Sequence, residues 1–188
     1  MVEKRKKGYR AEQASDGTWT IYDVPVFASH TDDRGHEDVE FSSRWLKKAL
    51  RKASIRADEG YLPPLHVRHH GDPEGVTAAG KFRLTRLGTI DHGGEKVTAL
   101  FADLVGVRPK VYEAIRRGEL SYRSVEILDV DVPEIDSLAL LDDEVPFFRF
   151  ENLRIAEETP QKTRAAAAAL YRAVGDSRGI IWKLEAED

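Results

Sequence analysis

The chain has 188 residues and a net charge of −4, with 41% hydrophobic and 33% charged residues, which is typical of one folded domain with short additions. It contains no cysteine, which excludes disulfides, thiolate catalysis and cysteine-bound zinc. It also lacks a run of about 20 apolar residues and has no general excess of basic residues, so we expect neither a membrane nor a nucleic acid as its partner.

The charges are distributed unevenly and suggest three regions. Residues 1–15 are predicted to be a flexible arm that is basic at its start, either simply solvated or able to dock on an acidic partner. Residues 16–159 are predicted to form the main domain. Within it, the stretch 124–148 holds eight acidic residues and neither lysine nor arginine. Residues 160–188 contain five consecutive alanines and are predicted to form a C-terminal helical appendage.

The hydrophobic pattern predicts an α+β fold with about seven strands and three helices, the third over 163–174. Short strands and hairpins interleaved with single helices favour a largely antiparallel, barrel-like sheet surrounded by a few helices. In chain order, we predict a strand or bent pair of strands over 17–27, a polar loop over 29–40, a helix from Ser42 or Ser43 to Asp58, an extended run over 62–70, a hairpin of strands 79–87 and 96–104, a helix from Pro109 to Arg117, and strands over 120–128, 138–141 and 147–155.

The densest group of reactive side chains is the run from His66 to His70. Strand alternation places His69 on the same apolar face as Val67, at the end of the strand. A half-desolvated histidine at the rim of a core suits a general base. The residues alone favour a simpler role, a histidine hydrogen-bonded to a carbonyl at the core edge. A metal site built from these histidines and Asp72 is a weaker alternative, because the spacing offers no clear third ligand.

The second candidate is Ser124, on a predicted strand with Tyr122 and Glu126 on its face. A serine is unreactive unless a neighbouring base takes its proton during attack. His69 can be that base only if the two strands are adjacent. The alternative is that Ser124 merely completes a sheet position. The sequence contains neither a glycine-rich phosphate loop, nor a Gly-x-Ser-x-Gly motif, nor a zinc-protease helix motif.

Four runs, taken in order and spacing, carry a resemblance to a known family. They are Leu62–His70, Ala79–Phe82, Tyr122–Ile127 and Leu138–Phe148. In these runs the chain resembles the prohead, or capsid maturation, proteases of tailed phages, over roughly residues 19–155. The resemblance implies a serine endopeptidase with a fold of the herpesvirus-assemblin type, a β-barrel surrounded by helices.

The resemblance also implies roles for individual residues. Ser124 matches the nucleophile of the family and His69 its general base. The third member is expected to be an acid or a second histidine, and Asp136 fits best by position, with Glu126 and Glu151 as alternatives. The family often has glycine where this chain has Glu126, which puts the shape of the substrate cleft in question.

The resemblance finally implies partners and a location. No cofactor and no metal is expected. The expected substrates are phage scaffold and major capsid proteins, cleaved inside the assembling head in the host cytoplasm. By analogy with the viral enzymes, the chain is expected to form a homo-oligomer, a dimer or higher. The alternative is a non-catalytic structural or scaffolding component of a virion that retains the protease fold.

Overall fold

A computed structural model describes residues 8–32, 39–69, 77–142, 146, 148 and 150–156. One compact unit of the chain ends at Ala156. The basic residues at the start of the predicted arm and the predicted C-terminal helix lie outside the described residues.

Nine strands and two helices are found in the described part of the chain. The two helices are α1 (Ser43–Asp58) and α2 (Pro109–Arg117). The strands are β1 (Ala11–Gln13), β2 (Trp19–Ala28), β3 (His30–Asp32), β4 (Val39–Phe41), β5 (Pro64–Val67), β6 (Thr77–His92), β7 (Glu95–Val107), β8 (Tyr122–Glu126) and β9 (Ser137–Leu141). The prediction of an α+β fold with a mostly antiparallel sheet is confirmed.

Seven strands form one sheet in the order β1-β2-β7-β6-β5-β9-β8, while β3 and β4 pair separately. All neighbours in the large sheet are antiparallel except β5 and β9, which are parallel. The predicted hairpin corresponds to β6 and β7, joined by Gly93 and Gly94, which both have the positive φ angles that a two-residue turn requires. This sheet positions the candidate residues, because Ser124 lies on its last strand.

The expected barrel is wrong, because the sheet is open between β1 and β8. An irregular segment fills this gap in place of a strand. On one side, the backbone N–H of Leu153 donates to the carbonyl of Ser121, which precedes β8, at 2.9 Å. On the other side, the N–H of Tyr9, which precedes β1, donates to the carbonyl of Arg154 at 2.6 Å. The segment thus contacts both sides of the opening without completing the ladder.

The strand predicted over 147–155 is wrong, because the described residues of this stretch form the irregular segment. Among its described residues, only Ile155 forms a β-bridge, with Tyr9. The buried residues Phe150 and Leu153 are three positions apart, whereas a strand would bury every second residue. Three further short strands arise where the sequence predicted none: β1 lies within the predicted flexible arm, β3 lies within the predicted polar loop, and β4 begins there and ends one residue beyond it.

Helix α1 follows the prediction closely. The Ser42 hydroxyl accepts a hydrogen bond from the N–H of Trp45, which satisfies a donor that the first helical turn leaves unpaired. The buried face of the helix, with Leu46 and Ala49, packs on β6 and β7. The predicted helix α2 is also confirmed, and it ends at Gly118, which has a left-handed φ of 78°.

The main core lies between these helices and the sheet. Its largest fully buried apolar side chains include Ile21, Leu46, Leu65, Phe82 and Leu138. At one end of the core, the rings of Trp19 and Tyr112 stack with their centroids 3.8 Å apart, which fastens α2 to β2.

Candidate functional site

The strands β8, β9 and β5 bring the predicted residues to one face of the sheet. Ser124 lies opposite Ala139, and Ala139 lies opposite His66. Glu126 lies opposite Ser137. Because paired residues share a face and alternate residues of one strand do too, Ser124, Glu126, Ser137 and His66 lie on the same side of the sheet.

The chain reaches His69 through a break in strand β5. The strand ends at Val67, and Arg68 adopts a φ of 70°, which is rare for a residue with a long side chain. The N–H of Arg68 donates to the carbonyl of Leu140 at 2.9 Å, which fixes this turn on β9. The alternation that placed His69 on the apolar face with Val67 therefore stops at Val67, and the imidazole of His69 instead contacts Glu126.

The central contact of the site joins His69 and Glu126. The Nδ1–H of His69 donates to Oε1 of Glu126 at 3.1 Å, and the two side chains are only 28% and 17% exposed. The Ser137 hydroxyl donates to the other carboxylate oxygen, Oε2. Both oxygens of the carboxylate are thus engaged. The proton on Nδ1 leaves the lone pair on Nε2, the nitrogen that a general base uses.

Ser124 lies two residues before Glu126 on the same strand and face, and its side chain is half-buried. Its hydroxyl makes no hydrogen bond to any residue that the structure describes. The structure therefore brings Ser124 and the His69–Glu126 pair to one face, without a direct hydrogen bond between Ser124 and His69. Such contacts are often long in the absence of substrate and tighten when it binds.

The two other acids considered as third members have different contacts. Asp136 accepts a hydrogen bond from the N–H of Leu128 at 2.8 Å, and its own N–H donates to the carbonyl of Glu126 at 2.9 Å. These bonds close the connection between β8 and β9. Glu151 is exposed, and its backbone carbonyl accepts from Arg123. Among the described contacts, neither carboxylate bonds to His69.

A groove lies beside Ser124 at the open edge of β8, with a volume of about 210 Å³. We call it the β8 groove. Most of its lining residues are apolar or aromatic and come from β2, β4, β8 and the segments that follow β8 and β9, while His30, Arg123 and Ser124 are its polar members. The apolar and aromatic members include Val26, Phe27, Phe41, Val125, Ile127 and Phe148.

Arg123 is a structural residue of the site that sequence reasoning did not identify. Its side chain is 2% exposed, Nε donates to the carbonyl of Pro25 at 2.6 Å, and Nη1 donates to the carbonyl of Glu151 at 2.9 Å. Burial lowers the pKa of Arg123 to about 10, so the guanidinium keeps its charge at neutral pH. Nothing local distinguishes this arginine from one on an exposed strand face, because its partners are 98 and 28 residues away.

A larger cleft of about 960 Å³ lies elsewhere, lined by residues that include Tyr9, Tyr22, Asp23 and His92. Neither Ser124 nor His69 borders it.

Within the described ranges, no three side chains are arranged to hold a metal ion, and His70 and Asp72 of the alternative metal site lie outside them. Neither described helix is long and apolar enough to cross a membrane.

Comparison with known proteins adds no relatives. No protein-family model, no curated protein and no solved structure matches the chain.

Proposed function

We propose that the chain is a serine endopeptidase in which Ser124 is the nucleophile, His69 the general base and Glu126 the third member. The hydrogen bond from His69 to Glu126, on the sheet face that carries Ser124, is the observation that supports this proposal most strongly. Glu126 replaces Asp136 as the preferred third residue, since Asp136 is engaged with the backbone of Leu128.

The proposed reaction is acyl transfer. The Ser124 oxygen attacks the carbonyl carbon of a peptide bond while Nε2 of His69 takes the hydroxyl proton. The imidazolium then gives this proton to the leaving amine as the carbon–nitrogen bond breaks and an acyl-enzyme remains. Water repeats the sequence and releases the acid, with His69 again moving the proton. Glu126 stays ionised throughout and stabilises the imidazolium that forms in both halves.

The biological role proposed for this activity rests on the resemblance to prohead proteases. We infer that the fold is of the herpesvirus-assemblin type and that the substrates are scaffold and major capsid proteins in an assembling phage head. We infer also that the chain acts there as a homo-oligomer within the host cytoplasm. The four runs of sequence that carry the resemblance include both Ser124 and His69, the two residues that lie at the candidate site.

One observation favours a second function, a non-catalytic structural component of a virion that retains the fold. No described residue hydrogen-bonds to the hydroxyl of Ser124, so the arrangement is also that of an unactivated serine. The two functions differ in one respect that can be measured. An enzyme loses its product when Ser124 is replaced, whereas a structural component has no product to lose.

The test is co-expression of the chain with the proposed substrates, phage capsid and scaffold proteins, followed by intact-mass spectrometry. We expect trimmed partner proteins with the wild type and full-length partners with Ser124→Ala. Ser54→Ala is the matched control, because this exposed serine on α1 bonds only to the carbonyl of Leu50 among the described residues. Full-length partners in all three samples, while heads assemble, would favour the structural component.

A further inference from the structure

The open edge of β8 is accessible only in part. Before Ser124, the edge is occupied, because Leu153 bonds to the carbonyl of Ser121 and Arg123 links β8 to the carbonyl of Pro25. From Ser124 onward the strand borders the β8 groove instead. An unpaired strand edge offers backbone N–H and C=O groups to an added extended chain.

The size and lining of the β8 groove indicate what enters it. Its volume of about 210 Å³ is below the ~300 to 1,000 Å³ of pockets that enclose whole small molecules. It matches one or two side chains of a bound polypeptide. Phe27, Val125, Ile127 and Phe148 line it, so burial of an apolar side chain there is favourable.

The loop between β8 and β9 forms one wall of the groove and is fastened to α1. The Nε1–H of Trp45 donates to the carbonyl of Val130 at 2.9 Å. Lys52 pairs with Glu134 at 2.5 Å, and Arg56 pairs with the same carboxylate. Since Val130 itself lines the groove, the loop residues on either side of it are held beside the opening.

Exposed acidic side chains adjoin the groove, while the guanidinium of Arg123, which also lines it, is buried and donates to the carbonyls of Pro25 and Glu151. Asp129 and Asp131 flank Val130 and are exposed. Glu40 precedes the groove residue Phe41 and is exposed as well. The stretch 124–148, which supplies much of the lining, contains neither lysine nor arginine. A partner with basic side chains is therefore attracted to this opening, and one with acidic side chains is repelled.

We propose that the β8 groove is the specificity site of the proposed endopeptidase and selects an extended substrate segment in which an apolar residue is flanked by lysine or arginine. The apolar side chain occupies the groove beside Ser124, and the basic side chains lie against Asp129 and Asp131. That the groove selects substrates rests on the proposed function. Peptide binding to the groove can be measured whether or not the chain cleaves peptides.

Binding is measured on the Ser124→Ala protein by fluorescence anisotropy with three labelled peptides of equal length. The first carries a leucine flanked by lysines, the second the same leucine flanked by glutamates, and the third a serine flanked by lysines. We expect the first to bind most tightly, with an affinity that falls as salt is added, because exposed charge pairs are screened.

A pair of substitutions that removes both charges while keeping the side-chain shape isolates the acidic wall. Asp129→Asn with Asp131→Asn is expected to weaken binding of the first peptide about 2- to 30-fold, the effect of losing two exposed charge pairs. The asparagine at position 129 can still accept the N–H of residue 131. Asp58→Asn with Glu95→Gln, two exposed acids outside the groove lining, is the control and is expected to leave the affinity unchanged.

The inference is overturned if none of the peptides binds, if the glutamate peptide binds as well as the lysine peptide, or if both double variants weaken binding equally. Thermal unfolding of each variant establishes that it is folded. Selective binding without cleavage by the wild type would contradict the proposed endopeptidase but leave the peptide-binding site standing. Cleavage by the wild type without the stated preference would contradict only the specificity.

Discussion

Replacement of Arg123 by leucine removes the buried guanidinium that ties β8 to β2 and to the segment around Glu151. Two opposing effects set the outcome. The variant loses two hydrogen bonds from a charged donor, worth about 1.5–3 kcal/mol each. It also no longer buries a charge. The lowering of the Arg123 pKa to about 10 corresponds to a burial cost of about 3 kcal/mol.

The difference between these effects predicts that Arg123→Leu lowers the free energy of unfolding by about 0–3 kcal/mol. Arg123→Lys is the informative comparison, because lysine retains the buried charge but cannot reach both carbonyls with a planar fork. We therefore expect the lysine variant to be less stable than the leucine variant, by about 1–2 kcal/mol.

The two variants also differ in their dependence on pH. Burial depresses the pKa of a lysine, so the native state releases its proton at a lower pH than the unfolded state does. The stability of Arg123→Lys relative to Arg123→Leu is then lowest while both states are protonated and rises with pH between the native and the unfolded pKa. The wild-type guanidinium stays protonated up to about pH 10 and adds no such dependence below that value.

Urea unfolding at pH 6 to 9, followed by far-ultraviolet circular dichroism, measures these differences. The reasoning is refuted if the leucine variant is the less stable of the two at neutral pH. That result would mean that the packing of the long side chain, and not the balance of hydrogen bonds against charge burial, determines the stability at this position.

Three further changes have defined outcomes. Ser137→Ala removes the donor to Oε2 of Glu126. Because Glu126 orients the base, we expect the rate of cleavage of a purified peptide substrate to fall about 10-fold with little effect on KM. An equal change in KM would point to a binding role instead. Gly80→Ala places a methyl group 2.8 Å from the carbonyl oxygen of Val105 and is expected to cost about 1–3 kcal/mol in urea unfolding; an unchanged midpoint would contradict the close approach of β6 and β7. Leu138→Ala empties a fully buried position on β9 and is expected to lower the free energy of unfolding by about 2–5 kcal/mol in the same assay, whereas a loss below about 1 kcal/mol would place this side chain outside the core.

The parts of the fold that local sequence determines could be predicted. Helix α1 begins at Ser43 because the hydroxyl of Ser42 caps it, and its apolar positions repeat at helical spacing. The hairpin of β6 and β7 follows from the Gly93-Gly94 turn between two β-branched runs. In each case the signal and the structure that it predicts lie within a few residues of one another.

The parts that depend on distant pairing could not be predicted. The contact between His69 and Glu126 spans 57 residues and requires both the parallel pairing of β5 with β9 and the positive φ of Arg68. An arginine gives no sequence signal for a positive φ, since most residues that adopt one are glycine, asparagine or aspartate. Asp136 was predicted from its position along the chain. Chain position does not reveal which carboxylate the sheet register brings to His69, and the structure brings Glu126 there instead.

The central claim is that the His69–Glu126 pair activates Ser124, and labelling with a fluorophosphonate tests it without a known substrate. The purified full chain is treated with the reagent and analysed by intact mass and peptide mapping. We predict a single adduct on Ser124, formed much more slowly in Glu126→Gln and not at all in His69→Ala, with Asp136→Asn equal to the wild type. No adduct on Ser124, or equal labelling in all four proteins, would contradict the account.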